Sequence, residues 1–171
     1  MSQYEEEFGR FVAARGGSLR RTAFLLTGDW HAAEDLTQDT FVRLYAVWGR
    51  LSRRDAVDAY ARRTLVRLHL DERRRRRSTE QVVPLAGAGL AAASADLADD
   101  RVDLLRALAT LPPRQRTVLV LRFWEDLDVA AVSGLMDCPV GTVKSLTSRA
   151  LTAVRAELGA QGAAVVLGDE A

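Results

Sequence analysis

Only one of the 171 residues is a cysteine, Cys138. A disulfide within the chain and a cysteine-based zinc site are both excluded. Histidine is almost as scarce. His31 and His69 fall in different predicted helices, with no Ser-His-Asp set and no metal-ligand spacing around them. His31 reads as a helix-start residue and His69 as a surface or partly buried one. No Gly-rich phosphate loop is present. No catalytic residue, metal centre or cofactor is therefore expected. No uninterrupted apolar run approaches the roughly 18 residues of a membrane span. The first residues, Met-Ser-Gln-Tyr-Glu-Glu-Glu, are acidic and lack an apolar core, so no signal peptide is expected. A cytoplasmic protein without membrane insertion is the simplest account. Lysine is nearly missing too: Lys144 is the sole Lys among 24 basic residues.

The chain has 48% hydrophobic and 27% charged residues, a globular balance. Its net charge of +1 hides an uneven distribution. Residues 1–77 carry 16 Arg against 11 acids, residues 78–100 carry four acids and no Lys or Arg, and residues 101–171 balance at 8 and 8.

Apolar periodicity places a first helix over residues 2–15, with Tyr4, Phe8, Phe11 and Val12 on one face and Gly16-Gly17 ending it. Ser18 caps a second over residues 19–26, stopped by Thr27-Gly28-Asp29. A third spans residues 30–48, with Ala33, Leu36 or Thr37, Phe41, Leu44, Tyr45 and Trp48 as its stripe. A fourth covers roughly residues 56–76. Residues 78–96 are rich in Gly, Pro, Ser and small side chains without periodicity, and read as a flexible acidic linker spanning about 25 Å on average. The fold class is all-α, with two small helical domains, 1–77 and 97–158, and a frayed tail over 159–171.

The second domain carries the plainest pattern. Pro112-Pro113 suits a helix start, where the missing N–H groups are not needed. Asp128 is placed to cap a short helix with Val129, Val132, Leu135 and Met136 on its apolar face. Asp137-Cys138-Pro139 breaks that helix. A last helix runs from Val140 to about Leu158, with Val143, Leu146 or Thr147, Ala150, Leu151, Val154 and Leu158 as its buried stripe. Thr142, Lys144, Ser145, Ser148, Arg149 and Arg155 lie off it. Three helices with a tight turn before a cationic one form a helix-turn-helix, and small hydroxyls with a few cations suit close approach to DNA. An ordinary amphipathic surface helix has the same outline. Cys138 reads as a small buried turn residue.

Four segments then stand in one order: Ala33-Glu34-Asp35-Leu36-Thr37-Gln38-Asp39-Thr40-Phe41, Ala59-Tyr60-Ala61-Arg62-Arg63, Leu111-Pro112-Pro113-Arg114-Gln115-Arg116 and Gly141-Thr142-Val143-Lys144-Ser145. Together they resemble the extracytoplasmic-function branch of the bacterial sigma-70 superfamily, over about residues 4–158. The resemblance implies a promoter-specificity subunit whose partners are core RNA polymerase (the β′ clamp helices and the β flap), promoter DNA and an anti-sigma factor. It makes residues 1–77 the region 2 domain and residues 97–158 the region 4 helix-turn-helix. Glu34, Asp35, Gln38 and Asp39 would dock on the clamp helices; Asp35, Gln38 and Asp39 share one helix face, and carboxylates there can meet an Arg-rich partner. Tyr60, Arg62, Arg63, Arg67, Arg73 and Arg74 would engage the −10 element, a task needing backbone-tracking cations and a pocket for an unstacked base. A solvated, dipole-compatible helix end is the other reading of the Arg run. Thr142, Lys144, Ser145, Ser148 and Arg149 would read the −35 element. The linker would thread toward the active-site and RNA-exit channels; a plain tether fits its composition equally.

Three departures bear on specificity. Arg67 stands where the family often has an Asn in the flipped-base pocket, and a donor-only guanidinium changes what that pocket accepts. Leu146 replaces a frequent Arg after Lys-Ser, leaving fewer cations. Ala131-Val132-Ser133 replaces a common Glu-Ile-Ala. A free-standing helix-turn-helix regulator would explain residues 111–158 but leaves the Asp35 stripe and the Arg-rich fourth helix without purpose.

Overall fold

The computed structural model describes residues 3–51, 54–78 and 99–167, and every element among them is helical. The chain forms two compact units, Met1–Val83 and Pro84–Ala171. The segment assigned to a linker lies outside the described residues, except for Ser78, which closes a helix.

The first unit packs three helices against one another: α1 (Gln3–Thr27), α2 (Trp30–Val47, followed by a 3-10 turn over Trp48–Arg50) and α3 (Arg54–Ser78). Leu19, Ala23, Phe24, Leu26, Ala33, Leu44, Val57, Ala61, Leu65 and Val66 form its core. Two expected helices are one. The break predicted at Gly16-Gly17 does not occur, and α1 runs unbroken past both glycines. Each Gly costs about 1 kcal/mol in a helix interior. Apolar side chains on both sides of the pair offset that cost. Upstream, Phe8 and Phe11 meet the rings of Phe41, Tyr45 and Trp48, while downstream Leu19, Ala23 and Phe24 are buried. A Cβ at Gly16 would make ordinary contact with the Phe41 ring at 3.6 Å, so packing there does not require a glycine.

The true stop comes at Gly28, which holds a left-handed φ of 73° while its N–H donates to Phe24 O at 2.7 Å. Asp29, expected within the stop, instead caps α2, its Oδ1 accepting from Ala32 N–H at 2.9 Å. Of the two readings of the α2 stripe, Thr37 is buried and Leu36 half-buried. Thr37 Oγ1 donates to Ala33 O at 2.7 Å, so its hydroxyl is satisfied within the helix. His69 is also corrected: it is buried, because it lies three and four residues beyond Val66 and Leu65 on the packed face of α3.

The second unit contains α4 (Asp99–Thr110), α5 (Pro113–Leu119, continuing as a π-helical turn over Val120–Trp124), α6 (Val129–Met136) and α7 (Val140–Leu167). α7 is the hub on which α4, α5 and α6 all pack. Val143, Ala150 and Val154 are its fully buried contacts, facing Leu108, Leu111, Val118, Leu121, Val132 and Met136 of the same core. Leu146, Thr147, Leu151 and Leu158 are only half-buried. Pro113 stands at the first position of α5, and Asp128 caps α6 by accepting from Ala131 N–H at 2.7 Å. Gly159 (φ 71°, ψ 162°) interrupts α7, and the residues expected as a frayed tail return to helix as far as Leu167.

Asp137 ends α6 in a left-handed conformation (φ 49°, ψ 55°), where glycine is the usual occupant. We expect Asp137→Gly to raise the stability of this unit by up to about 1 kcal/mol. A thermal melt checks this; a lower Tm would mean that the Asp137 side chain contributes something the backbone strain does not reveal.

Candidate nucleic-acid and partner interfaces

On α2, Asp35, Gln38, Asp39 and Val42 are all exposed and recur at the three- and four-residue steps that align side chains on one helix face. Asp35 and Asp39 have no ion pair among the described residues. Val42 is 69% exposed and extends the stripe with an apolar surface that the sequence reading missed. Its signal was present, since Val42 stands seven residues after Asp35. Glu34 differs from its neighbours. Its Oε1 accepts from Arg20 Nη1 at 3.2 Å, and the Arg20 guanidinium lies 5.4 Å from the Trp30 ring centroid. Glu34 is thus engaged with α1.

The six residues singled out on α3 fall into two sets. Tyr60, Arg63, Arg67 and Arg74 step by three, four and seven residues along one side. The three arginines are exposed and Tyr60 is half-buried. Arg62 and Arg73 share the side of buried Val66 and His69 and are half-buried, each with interactions inside the protein. A ligand approaching the exposed side meets Tyr60 and three guanidinium groups. The exposed pair between Arg76 and Glu72 (2.9 Å) neutralises part of the Arg run.

On α7, Lys144, Ser145, Ser148 and Arg149 are exposed together, one turn apart in two rows. Thr142 is half-buried, and its carbonyl accepts from Ser145 Oγ at 3.1 Å. The turn that aims this helix is tied from both sides. Asp137 and Cys138 N–H donate to Ser133 O, and Ser133 Oγ donates to Cys138 O at 2.6 Å. Ser133, noted in the sequence only as a departure, therefore fixes the turn. Cys138 is half-buried rather than buried. Among the described residues no three His, Cys, Asp or Glu side chains gather as metal ligands, and no helix is long and apolar enough to cross a membrane.

Two family models match the chain: Sigma-70 region 2 over residues 11–79 and Sigma-70 region 4 over residues 101–154. The chain is 34% identical over 152 residues to the RNA polymerase sigma-E factor of Streptomyces avermitilis, covering 89% of this chain and 85% of the relative. It is 26% identical over 168 residues to the ECF RNA polymerase sigma factor SigW of Bacillus subtilis, covering 90% of each. In fold it resembles the sigma factor RpoE of Bartonella quintana, solved in complex with the anti-sigma factor NepR. That likeness has a TM-score of 0.66 at 22% identity and covers 90% of this chain and 97% of the other.

Proposed function

Because this chain belongs to the extracytoplasmic-function sigma factors of the sigma-70 family, a promoter-specificity subunit of RNA polymerase in transcription initiation, we propose how its exposed faces divide that work. Asp35, Gln38 and Asp39, with Val42 beside them, dock on the β′ clamp helices. Glu34 contributes less, being already engaged by Arg20. Tyr60, Arg63, Arg67 and Arg74 meet the melted −10 strand, while Arg62 and Arg73 brace the helix from its packed side. Lys144, Ser145, Ser148 and Arg149 read the −35 element, with Thr142 at the mouth of that surface. Residues 1–77 and 97–158 act as separate domains, and residues 78–96 join them. The β flap holds the second domain. The protein works in the cytoplasm, has no catalytic activity of its own and is a target for an anti-sigma factor, as the Bartonella quintana relative is.

One observation carries this division: each matched region contains a helix face over a buried apolar side on which Asp35 and Asp39, Arg63 and Arg67, or Lys144 and Arg149 are exposed and have no ion pair among the described residues. Exposed charges without internal partners do little for folding, which leaves them available to a partner.

The test is transcription reconstituted from purified core polymerase, this protein and genomic fragments. Initiation at specific sites only when the protein is added supports the proposal. Tight binding to an operator without polymerase, and no initiation, would instead make it a free-standing regulator. In the same assay Arg67→Asn is expected to change which base is preferred in the −10 element by about tenfold or more, a bidentate guanidinium contact being worth about 1–3 kcal/mol of discrimination. Core affinity should be unchanged. An unaltered base preference would reduce Arg67 to a backbone contact.

A further inference from the structure

We propose that a groove of about 320 Å³ in the second unit seats a phosphate of the DNA backbone, carrying the DNA footprint beyond the base-reading end of α7. The proposal rests on the −35 role given above to α7 and extends it to Arg122 and Arg155. Arg122 enters the groove from the π-helical turn after α5. Lys144, Ser148 and Arg155 line it from α7, with apolar Val129 and Leu151 between them. Three cations and no carboxylate face one concavity, so it attracts anions and offers them no competitor.

The three cations are held differently. Arg122 is fixed: Nη1 donates to Leu127 O at 2.6 Å, and the guanidinium lies 5.9 Å from the Phe123 ring centroid. Its Nε is buried and makes no hydrogen bond among the described residues. That atom is closed to solvent, so Arg122 brings to the groove a fixed positive charge rather than this donor. Lys144 and Arg155 are exposed and have no ion pair among the described residues. Arg155 closes on the phosphate from a long, flexible stem, while Lys144 stands at the end of the groove nearest the bases.

The spacing suits a duplex. Arg155 lies eleven residues beyond Lys144, roughly 16 Å along the helix axis. The major groove is about 12 Å wide. A helix that places Lys144 at base edges therefore brings Arg155 to the strand bordering the groove. Thr147 and Thr152 also line the concavity, but their hydroxyls donate to Val143 O and Ser148 O, leaving Ser148 as the hydroxyl donor.

The experiment is a salt titration of promoter-fragment binding, with the full chain alone and as holoenzyme. Arg155→Gln is expected to lower the slope of log K against log salt by about 0.9, one phosphate contact, which is about fivefold in affinity near 0.15 M salt. The loss should be equal on fragments with altered −35 bases, because a phosphate contact carries no sequence information. Arg155→Lys should restore the slope. Arg122→Gln should behave likewise, but Arg122 also anchors Leu127, so Arg155 carries the test. An unchanged slope in Arg155→Gln overturns the proposal. Replacing chloride by inorganic phosphate at matched ionic strength separates the two sources of phosphate. If free phosphate perturbs the groove residues by NMR while Arg155→Gln leaves DNA binding untouched, the DNA assignment is overturned. If the slope change holds for the chain alone and no polymerase-dependent initiation occurs, the promoter role fails and the phosphate seat stands.

Discussion

Asp39→Arg is expected to abolish assembly with core polymerase while leaving the fold intact. Asp39 is exposed, has no ion pair among the described residues and shares its helix face with Asp35, Gln38 and Val42, so nothing internal depends on its charge. Losing one member of a desolvated, hydrogen-bonded charge pair at an interface costs about 2–5 kcal/mol, and reversal adds like-charge repulsion. That is a loss of roughly thirtyfold to several thousandfold in affinity. Asp35→Arg should act in the same way. Glu34→Gln should weaken binding by less than about threefold, because this carboxylate already pairs with Arg20 at a solvent-exposed site. Titrating labelled core polymerase with each variant, beside a circular-dichroism melt, reads both quantities. Wild-type affinity in Asp39→Arg would remove α2 from the docking surface.

The difference between Asp39 and Glu34 marks the limit of what the sequence could say. A helical repeat is local, so the stripe of Asp35, Gln38 and Asp39 was legible, as were the cap at Asp128, the start at Pro113 and the α6–α7 turn. The pairing of Glu34 with Arg20 joins two helices, and no local rule anticipates it. The same holds for Gly16-Gly17, where the local penalty argued for a break and packing on both sides of the pair prevailed. His69 was read as a surface or partly buried residue, and its full burial follows from how α3 packs on α1 and α2. The partition of its arginines was in fact readable. Stepping from Tyr60 to Arg63, Arg67 and Arg74 picks out one side, and Val66 and His69 place Arg62 and Arg73 on another. Counting the arginines as one charge block concealed it. On α7 the four exposed polar residues were legible from the stripe they avoid. The groove that Lys144, Ser148 and Arg155 share with Arg122 was not, because it depends on how the π-helical turn after α5 lies against α7.

The segment Leu111-Pro112-Pro113-Arg114-Gln115-Arg116 served in the sequence as a helix start and as one of the four family motifs, with no role for Arg116, yet Arg116 is the most consequential side chain in it. It is 1% exposed. Its Nε donates to Leu108 O at 2.7 Å and its Nη2 to Ala109 O at 2.8 Å. These are among the last carbonyls of α4, which have no partners within the helix, and the negative end of the helix dipole favours a cation there. Pro112 and Pro113 turn the chain so that a residue one turn into α5 reaches back to cap the helix before it. Arg116→Ala removes two charge-assisted hydrogen bonds, leaves Ala109 O without this donor and Leu108 O with only the Leu111 N–H at 3.2 Å, and empties the space of a fully buried side chain. Bonds to charged groups are worth about 1.5–3 kcal/mol each, so the expected loss is roughly 3–5 kcal/mol. For a small unit that is a large part of the whole stability. Arg116→Lys should recover less than half, since one ammonium replaces a planar fork that spans two carbonyls. Arg114→Ala, at an exposed position in the same turn, should cost less than about 0.5 kcal/mol. Native-state hydrogen exchange resolves the two units separately. In Arg116→Ala, protection should collapse across α4 to α7 and persist in α1 to α3. Core binding through α2 should then survive while recognition of the −35 element is lost. Protection in α4 and α5 within about 1 kcal/mol of wild type would show that Arg116 merely fills space.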